Sequence, residues 1–199
     1  MERGYSIKSK PEYQTLAWHE RAQAHFVVSK GGGAMAVLQL FQQMYPPQPV
    51  TVLYVREASG KDFGAILAKT VGDSLHLFDS EKACLEHLDR LMDTLTMGTQ
   101  FYFAGSETFM WSAVKIAKQY GVQEDDIMKQ VVMTLARPVY CVHCKTTTAD
   151  VTTNIASCSG CGRKLFVRDH FSRRLGAYMG LQVDAEEPGN VPAIEEIYP

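Results

Sequence analysis

Four of the five cysteines in this chain stand as two C-x-x-C pairs, Cys141/Cys144 in "CVHC" and Cys158/Cys161 in "CSGC", with thirteen residues between the pairs. Two thiolates three residues apart on one tight turn face a common point, and the backbone N–H groups of the turn are left to donate to the sulfurs. Two such turns brought together complete a tetrahedral four-sulfur site, so Cys141, Cys144, Cys158 and Cys161 are the expected metal ligands. Ligation in a reducing cytoplasm suits this pattern better than disulfides do. It also suits it better than a redox dithiol, because a single C-x-x-C of that kind opens a helix. A four-sulfur site holds zinc, mononuclear iron or a [2Fe–2S] cluster. Zinc has no redox chemistry and would serve structure and docking, whereas iron would make the chain an electron carrier.

The second pair is followed by Gly162, the first by Lys145. Paired knuckles resembling those of rubredoxin carry a glycine at both places, which favours zinc over mononuclear iron. The linker "KTTTADVTTNIAS" is rich in Thr and Ser and reads as a β-hairpin between two knuckles of zinc-ribbon type. His143, between two ligands, is expected to be exposed, since four cysteines fill a structural site. A segment of this size has too little core to fold alone, so metal would supply much of its stability. Arg163, Lys164, Arg168, Arg173 and Arg174 make it basic. A nucleic-acid-binding zinc ribbon is one reading of that charge, and balance for a dianionic zinc tetrathiolate is another. The whole chain carries a formal net charge of -2 and an acidic tail follows directly, so a protein docking surface is expected and nucleic acid is not. Asp169, His170 and Arg173 in "DHFSRR" read as a helix-surface salt-bridge or interface cluster.

A different chemistry is open to "VVSKGGGAMAV". Lys30, Gly31, Gly32 and Gly33 fall at a strand-to-helix turn, where helix N–H groups can receive a phosphate and Lys30 adds charge. A tight turn with close helix–sheet packing explains the same glycines equally well.

The elements that would position these residues alternate. "AHFVVS" (24–29), "VTVLYV" (50–55), "DSLHLFD" (73–79), "TQFYFAG" (99–105) and "DIMKQVVMT" read as strands. Helices are expected over 34–44, 81–93 and 106–121, with a short irregular one in "KDFGAILAKT". Ser80 and Ser106 suit N-caps, and Gly121 a C-terminal stop. This order implies an α/β fold, a parallel five-stranded sheet with helices on both faces. The expected divisions are an N-terminal extension (1–23), the α/β domain (24–136), a four-cysteine metal-binding module of zinc-ribbon type (137–182) and an extended acidic tail (183–199). Cys84 falls on an apolar helix face and reads as an ordinary buried thiol. No apolar run approaches the roughly 18 residues of a membrane span, and no secretory signal opens the chain, so a cytoplasmic protein is expected.

"FYFAGSETFMW" resembles the C-terminal signature of ferredoxin-NADP reductase-like nucleotide domains, where a strand ends in Cys-Gly-Pro and a Phe-Met helix follows. Gly105, Phe109 and Met110 match it, while Ala104 replaces the cysteine beside the nicotinamide and Ser106 replaces the proline. The resemblance implies that Gly31 to Gly33 stand where pyrophosphate binds. It makes Lys30, Gly31, Gly32, Gly33, Gly105 and Ser106 the expected region for NADPH. "RGYS" (3–6) looks like the flavin motif of that superfamily, but too few residues precede the first strand for a flavin barrel, and the match is read as accidental. A nucleotide-domain relative without its own flavin, and without independent hydride transfer, is implied.

The whole chain resembles the small subunit of bacterial dimethylamine monooxygenase, most specifically over "CVHC", "CSGCG" and "LFVRDHFSRRLGAYMG". The resemblance implies an accessory subunit of an enzyme that uses NADPH and O2 to convert dimethylamine to methylamine and formaldehyde. It implies two partners, a haem-containing oxygenase subunit and a flavin and iron–sulfur reductase subunit. Haem, flavin and iron–sulfur would reside on those, leaving this chain zinc, with iron or [2Fe–2S] as the electron-transfer alternative. No catalytic residue is expected here, since no C-x-x-C-H haem attachment is present and no histidine can be picked as an axial ligand.

Overall fold

The computed structural model describes residues 9–57, 62–132 and 134–199; the "RGYS" stretch lies outside them. The described chain falls into two compact units, residues 13–132 and residues 134–199 together with 9–12.

The first unit is a five-stranded, wholly parallel sheet in the order β3-β2-β1-β4-β5, as the alternation predicts. Its central strands β1 (Ala24–Lys30) and β4 (Thr99–Gly105) are near-continuous apolar runs, which is what burial on both faces requires. β2 (Val50–Val55), β3 (Leu75–Phe78) and β5 (Ile127–Val131) flank them. Helices α1 (Ala34–Gln43) and α2 (Gly64–Val71) pack together, as do α3 (Glu81–Met92) and α4 (Glu107–Gln119). Ser80 and Ser106 cap α3 and α4, accepting from the N–H groups of Ala83 and Phe109. Val27, Val37, Leu40, Val52 and Tyr102 form one core with α1. Cys84 is fully buried, and burial together with Glu81 pushes its thiol up to about 12, the inert state expected.

Residues 13–23 belong to this unit, and their first residues run along the edge of β5. The Gln14 N–H donates to the Lys129 carbonyl at 3.1 Å and the Leu16 N–H to Gln130 Oε1 at 2.9 Å. Leu16 is buried in the α1 core, and Trp18 meets His25, Phe41 and Tyr102 edge-on. One edge carbonyl of β5 is thereby paired.

In the second unit β6 (Arg137–Cys141), β7 (Thr147–Val151), β8 (Ile155–Ser157), β9 (Lys164–Ser172) and β10 (Ala177–Gln182) form a sheet in the order β7-β6-β10-β9-β8. The linker is not a hairpin of its own. β7 pairs back onto β6 and β8 forward onto β9, so its two halves lie at opposite edges. Each knuckle turns its own flanking strands into an antiparallel pair, which leaves the linker to cross between them. Asp169 and His170 also lie on a strand, β9, rather than a helix. The tail comes back onto the unit: the N–H groups of Ile197 and Tyr198 both donate to the Thr152 carbonyl, and Tyr198 is buried.

Candidate metal centre

The two C-x-x-C turns have the same backbone. The Cys141 N–H donates to the Thr146 carbonyl at 2.9 Å and the Lys145 N–H to the Cys141 carbonyl at 2.9 Å. In the second turn the Cys158 N–H donates to the Arg163 carbonyl at 2.8 Å and the Gly162 N–H to that of Cys158 at 2.9 Å. Each sulfur accepts from the backbone two residues on: Cys141 from His143, Cys144 from Thr146, Cys158 from Gly160 and Cys161 from Arg163. The Thr146 hydroxyl and N–H hold the Cys144 thiol down to about 6, and the Arg163 N–H lowers Cys161. Burial pushes Cys141 up, against the N–H groups of Cys144 and His143. Such donors stabilise the thiolates that a metal needs.

The four sulfurs lie within 4.8 Å of one another, with Cys144–Cys158 at 3.5 Å and Cys141–Cys161 at 3.9 Å. A tetrahedron with metal–sulfur bonds of about 2.3 Å has edges of about 3.8 Å. The donor set therefore fits a single metal ion. A two-iron cluster divides its cysteines between two iron atoms and holds the pairs further apart. Cys141 and Cys158 are buried, and Cys144 and Cys161 are half-buried.

Lys145 and Gly162 both take left-handed backbone, at φ +68° and +71°. The first knuckle thus reaches the glycine conformation with a lysine, so the two turns differ there in residue type and not in backbone. Gly160 escaped the sequence reading. A Cβ there would lie 2.8 Å from Thr146 Cβ and 3.2 Å from the Cys144 sulfur, so only glycine lets the knuckles close. Its one signal is its place between Cys158 and Cys161.

Around the centre, His143 is exposed as expected, its Nδ1 3.0 Å from an Arg163 Nη1. The basic residues divide. Arg163 donates to Gln182 and Lys164 to Ser157, so both brace the unit, while Arg168, Arg173 and Arg174 are exposed. Asp169 pairs with Arg137 and Lys10, each at 2.7 Å. The Arg137 guanidinium lies 4.2 Å from the Tyr178 ring centre and 3.7 Å from that of Tyr198, an anchor that no sequence pattern announces.

The other expected region assembles where β1 and β4 end. These strands are neighbours whose connections leave in opposite directions, the position at which open α/β sheets form their crevice. A Cβ on Gly33 would lie 2.6 Å from the Ala104 carbonyl carbon, and one on Gly105 3.4 Å from the Lys30 oxygen. Lys30 to Gly33 and Gly105 are therefore in direct contact, with Ser106 capping α4 beside them.

Two family descriptions match the chain. "Dimethylamine monooxygenase subunit DmmA-like, N-terminal domain" covers residues 5–127, and the corresponding C-terminal domain covers residues 138–181. The haem-dependent oxidative N-demethylase delta subunit of Ectopseudomonas mendocina (strain ymp) is 37% identical over 92 residues. Those residues are 46% of this chain and 53% of that protein, so the match spans about half the length of the curated relative. Among solved structures, phthalate dioxygenase reductase is similar at 10% identity and a TM-score of 0.45, over 70% of this chain and 46% of that one. A ferredoxin-NADP+ reductase from Plasmodium falciparum is similar at 9% identity and a TM-score of 0.41, over 55% and 51%. Likeness at that level does not bear on function. The family matches, one over the α/β unit and one over the four-cysteine unit, show that this chain belongs to the dimethylamine monooxygenase subunit DmmA-like family.

Proposed function

We propose that the chain is an accessory subunit of an NADPH- and O2-dependent dimethylamine monooxygenase, an oxidative N-demethylase yielding methylamine and formaldehyde, and that its cysteines hold a structural zinc. Family membership supports the complex. The mutual distances of the four sulfurs support one tetrahedral ion. Zinc, when bound, supplies a redox-inert charge that ties the two knuckles together. In this reading Cys141, Cys144, Cys158 and Cys161 are ligands. Gly160 and Thr146 let the turns meet, and Arg163 and Lys164 brace them. Arg168, Arg173 and Arg174 are exposed on the unit and would face a docked partner. Oxygen chemistry belongs to a haem-containing oxygenase subunit, and electrons come from a flavin and iron–sulfur reductase subunit. Among the described residues no helix is long and apolar enough to cross a membrane, in keeping with assembly in the cytoplasm.

Mononuclear iron is the second reading, favoured by the left-handed backbone of Lys145, which gives both turns the same knuckle conformation. The test is metal content and visible spectrum of the chain purified without added metal. One zinc per chain and no colour is the expected result. Stoichiometric iron, with charge-transfer bands that bleach on reduction, would make the chain an electron carrier instead.

A further inference from the structure

The crevice at the ends of β1 and β4 is supplied with anions of the protein's own. The Glu57 carboxylate lies against Gly31, its Cδ 2.9 Å from where a Cβ would stand, at the turn that leads into α1. Lys30, the cation expected to meet a phosphate, has its Nζ 3.0 Å from Glu81 Oε2. Arg56, at the end of β2, lies 3.3 Å from Asp79 and 3.8 Å from Asp62. At the start of α4 the Glu107 carboxylate is buried and accepts from the Tyr13 hydroxyl, which itself accepts from Trp111 Nε1 at 2.8 Å.

Both helices that begin at the crevice, α1 and α4, therefore have a carboxylate at their electropositive end, where an anionic ligand would otherwise sit. The glycines need no ligand to explain them. Gly33 and Gly105 are required where the turn after β1 meets the end of β4, and Gly31 takes positive φ (+51°), a conformation that favours glycine, with the Glu57 side chain lying over it.

We propose that Glu57 and Glu81 stand in place of a dinucleotide's phosphates, so that the α/β unit keeps a nucleotide-type sheet and excludes pyridine nucleotides. A phosphate arriving at Gly31 meets a like charge, and the lysine that would hold it is already paired. In an NADPH-dependent complex the nucleotide then binds another chain, and this unit contributes shape alone. The inference rests on the crevice and not on the metal or the complex.

Equilibrium dialysis of the full chain against NADPH, and against inorganic pyrophosphate, tests it beside a Glu57→Gln/Glu81→Gln variant. The wild type should show no saturable binding up to about 1 mM, and the variant should gain at least about tenfold in affinity for either probe. Micromolar binding of NADPH by the wild type would overturn the proposal. So would a variant of unchanged circular dichroism and melting that binds no better. Should the double variant fail to fold, Glu57→Gln alone changes only an exposed side chain and must still gain affinity. Because binding is read on the isolated chain, the outcome is separate from whether the complex demethylates amines.

Discussion

The α/β unit and the four-cysteine unit both hold short turns in fixed geometry, but they draw rigidity from different sources. In the first, the turns after β1 and β4 rest on strands buried on both faces, and Val27, Val28, Tyr102 and Phe103 have no exposed surface. In the second, the sheet buries a thin layer, chiefly Val139, Leu165, Val167, Phe171 and Tyr178, and two further buried residues of the unit are Cys141 and Cys158. The knuckles extend beyond that layer and meet each other, with Gly160 against Thr146. A core that small cannot oppose chain entropy alone. The two units are therefore vulnerable in different ways, the first to loss of packing and the second, in the proposed zinc reading, to loss of one ion.

The largest effect should come from breaking the second unit alone. Cys141→Ser with Cys158→Ser, or a strong chelator, removes binding free energy of about 10–16 kcal/mol by analogy with small zinc modules. Limited proteolysis and amide NMR should then show residues 134–199 unfolded and the α/β unit intact. Loss of both units together would break the comparison. Leu16→Ala is the converse probe. Leu16 is 1% exposed in the α1 core, and its truncation should cost the α/β unit about 2–5 kcal/mol with metal content unchanged. It also tests whether residues 13–23 are integral to that unit, since a mere appendage would lose almost nothing.

How much of this was legible depended on whether the cause was local. "AHFVVS", "VTVLYV" and "TQFYFAG" are near-continuous apolar runs because parallel strands are covered on both faces, and the parallel sheet followed from their alternation with helices. The caps at Ser80 and Ser106 and the convergence of Cys141, Cys144, Cys158 and Cys161 were readable from residue type and spacing. The path of 13–23 was not. "YQTLAWHERAQ" has no period, and its anchors are contacts to residues distant in sequence, such as Gln130 and Tyr102. The linker's Thr content correctly signalled strands but not their partners, because knuckle closure, a non-local event, chooses them. Lys145 misled for the opposite reason: ring closure imposes a backbone that its residue type disfavours. Glu57 at Gly31 was invisible, since nothing in the sequence places the end of β2 beside the turn after β1.

A smaller effect attaches to the anchor at Arg137. Arg137→Met removes the pairing with Asp169 and the stacking on Tyr178 and Tyr198, and should cost the four-cysteine unit about 1–2 kcal/mol, since Asp169 is partly screened by water. Acid should reproduce part of this. Burial alone would raise the Asp169 carboxyl, but hydrogen bonds from Lys10 and Arg137 bring it below its ordinary value. With a depressed folded value, its contribution is present above the ordinary aspartate range of about 4 and is lost as pH falls through the folded value. Unfolding midpoints between about pH 6 and pH 3 should therefore fall less in Asp169→Asn than in the wild type. Equal slopes would show that the ion pair contributes nothing.

The smallest effect is the sharpest test of how the knuckles are built. If closure of the turn imposes left-handed backbone on Lys145, glycine should be preferred there despite the native lysine. The conformation costs a side-chain-bearing residue about 1–2 kcal/mol. Against that gain, glycine gives up roughly 0.4–1 kcal/mol through the greater freedom of the unfolded chain. The Lys145 ammonium also donates to the Val142 carbonyl at 2.7 Å, an exposed bond of about 0.5 kcal/mol. Lys145→Gly should therefore stabilise the metal-loaded unit slightly, by up to about 1 kcal/mol, whereas Gly162→Lys should weaken it by up to about 1.5 kcal/mol. Denaturant midpoints at fixed metal concentration measure both. If Lys145→Gly is clearly destabilising, the lysine is contributing contacts that the backbone ring does not, and the two knuckles are equivalent in shape but not in what holds them.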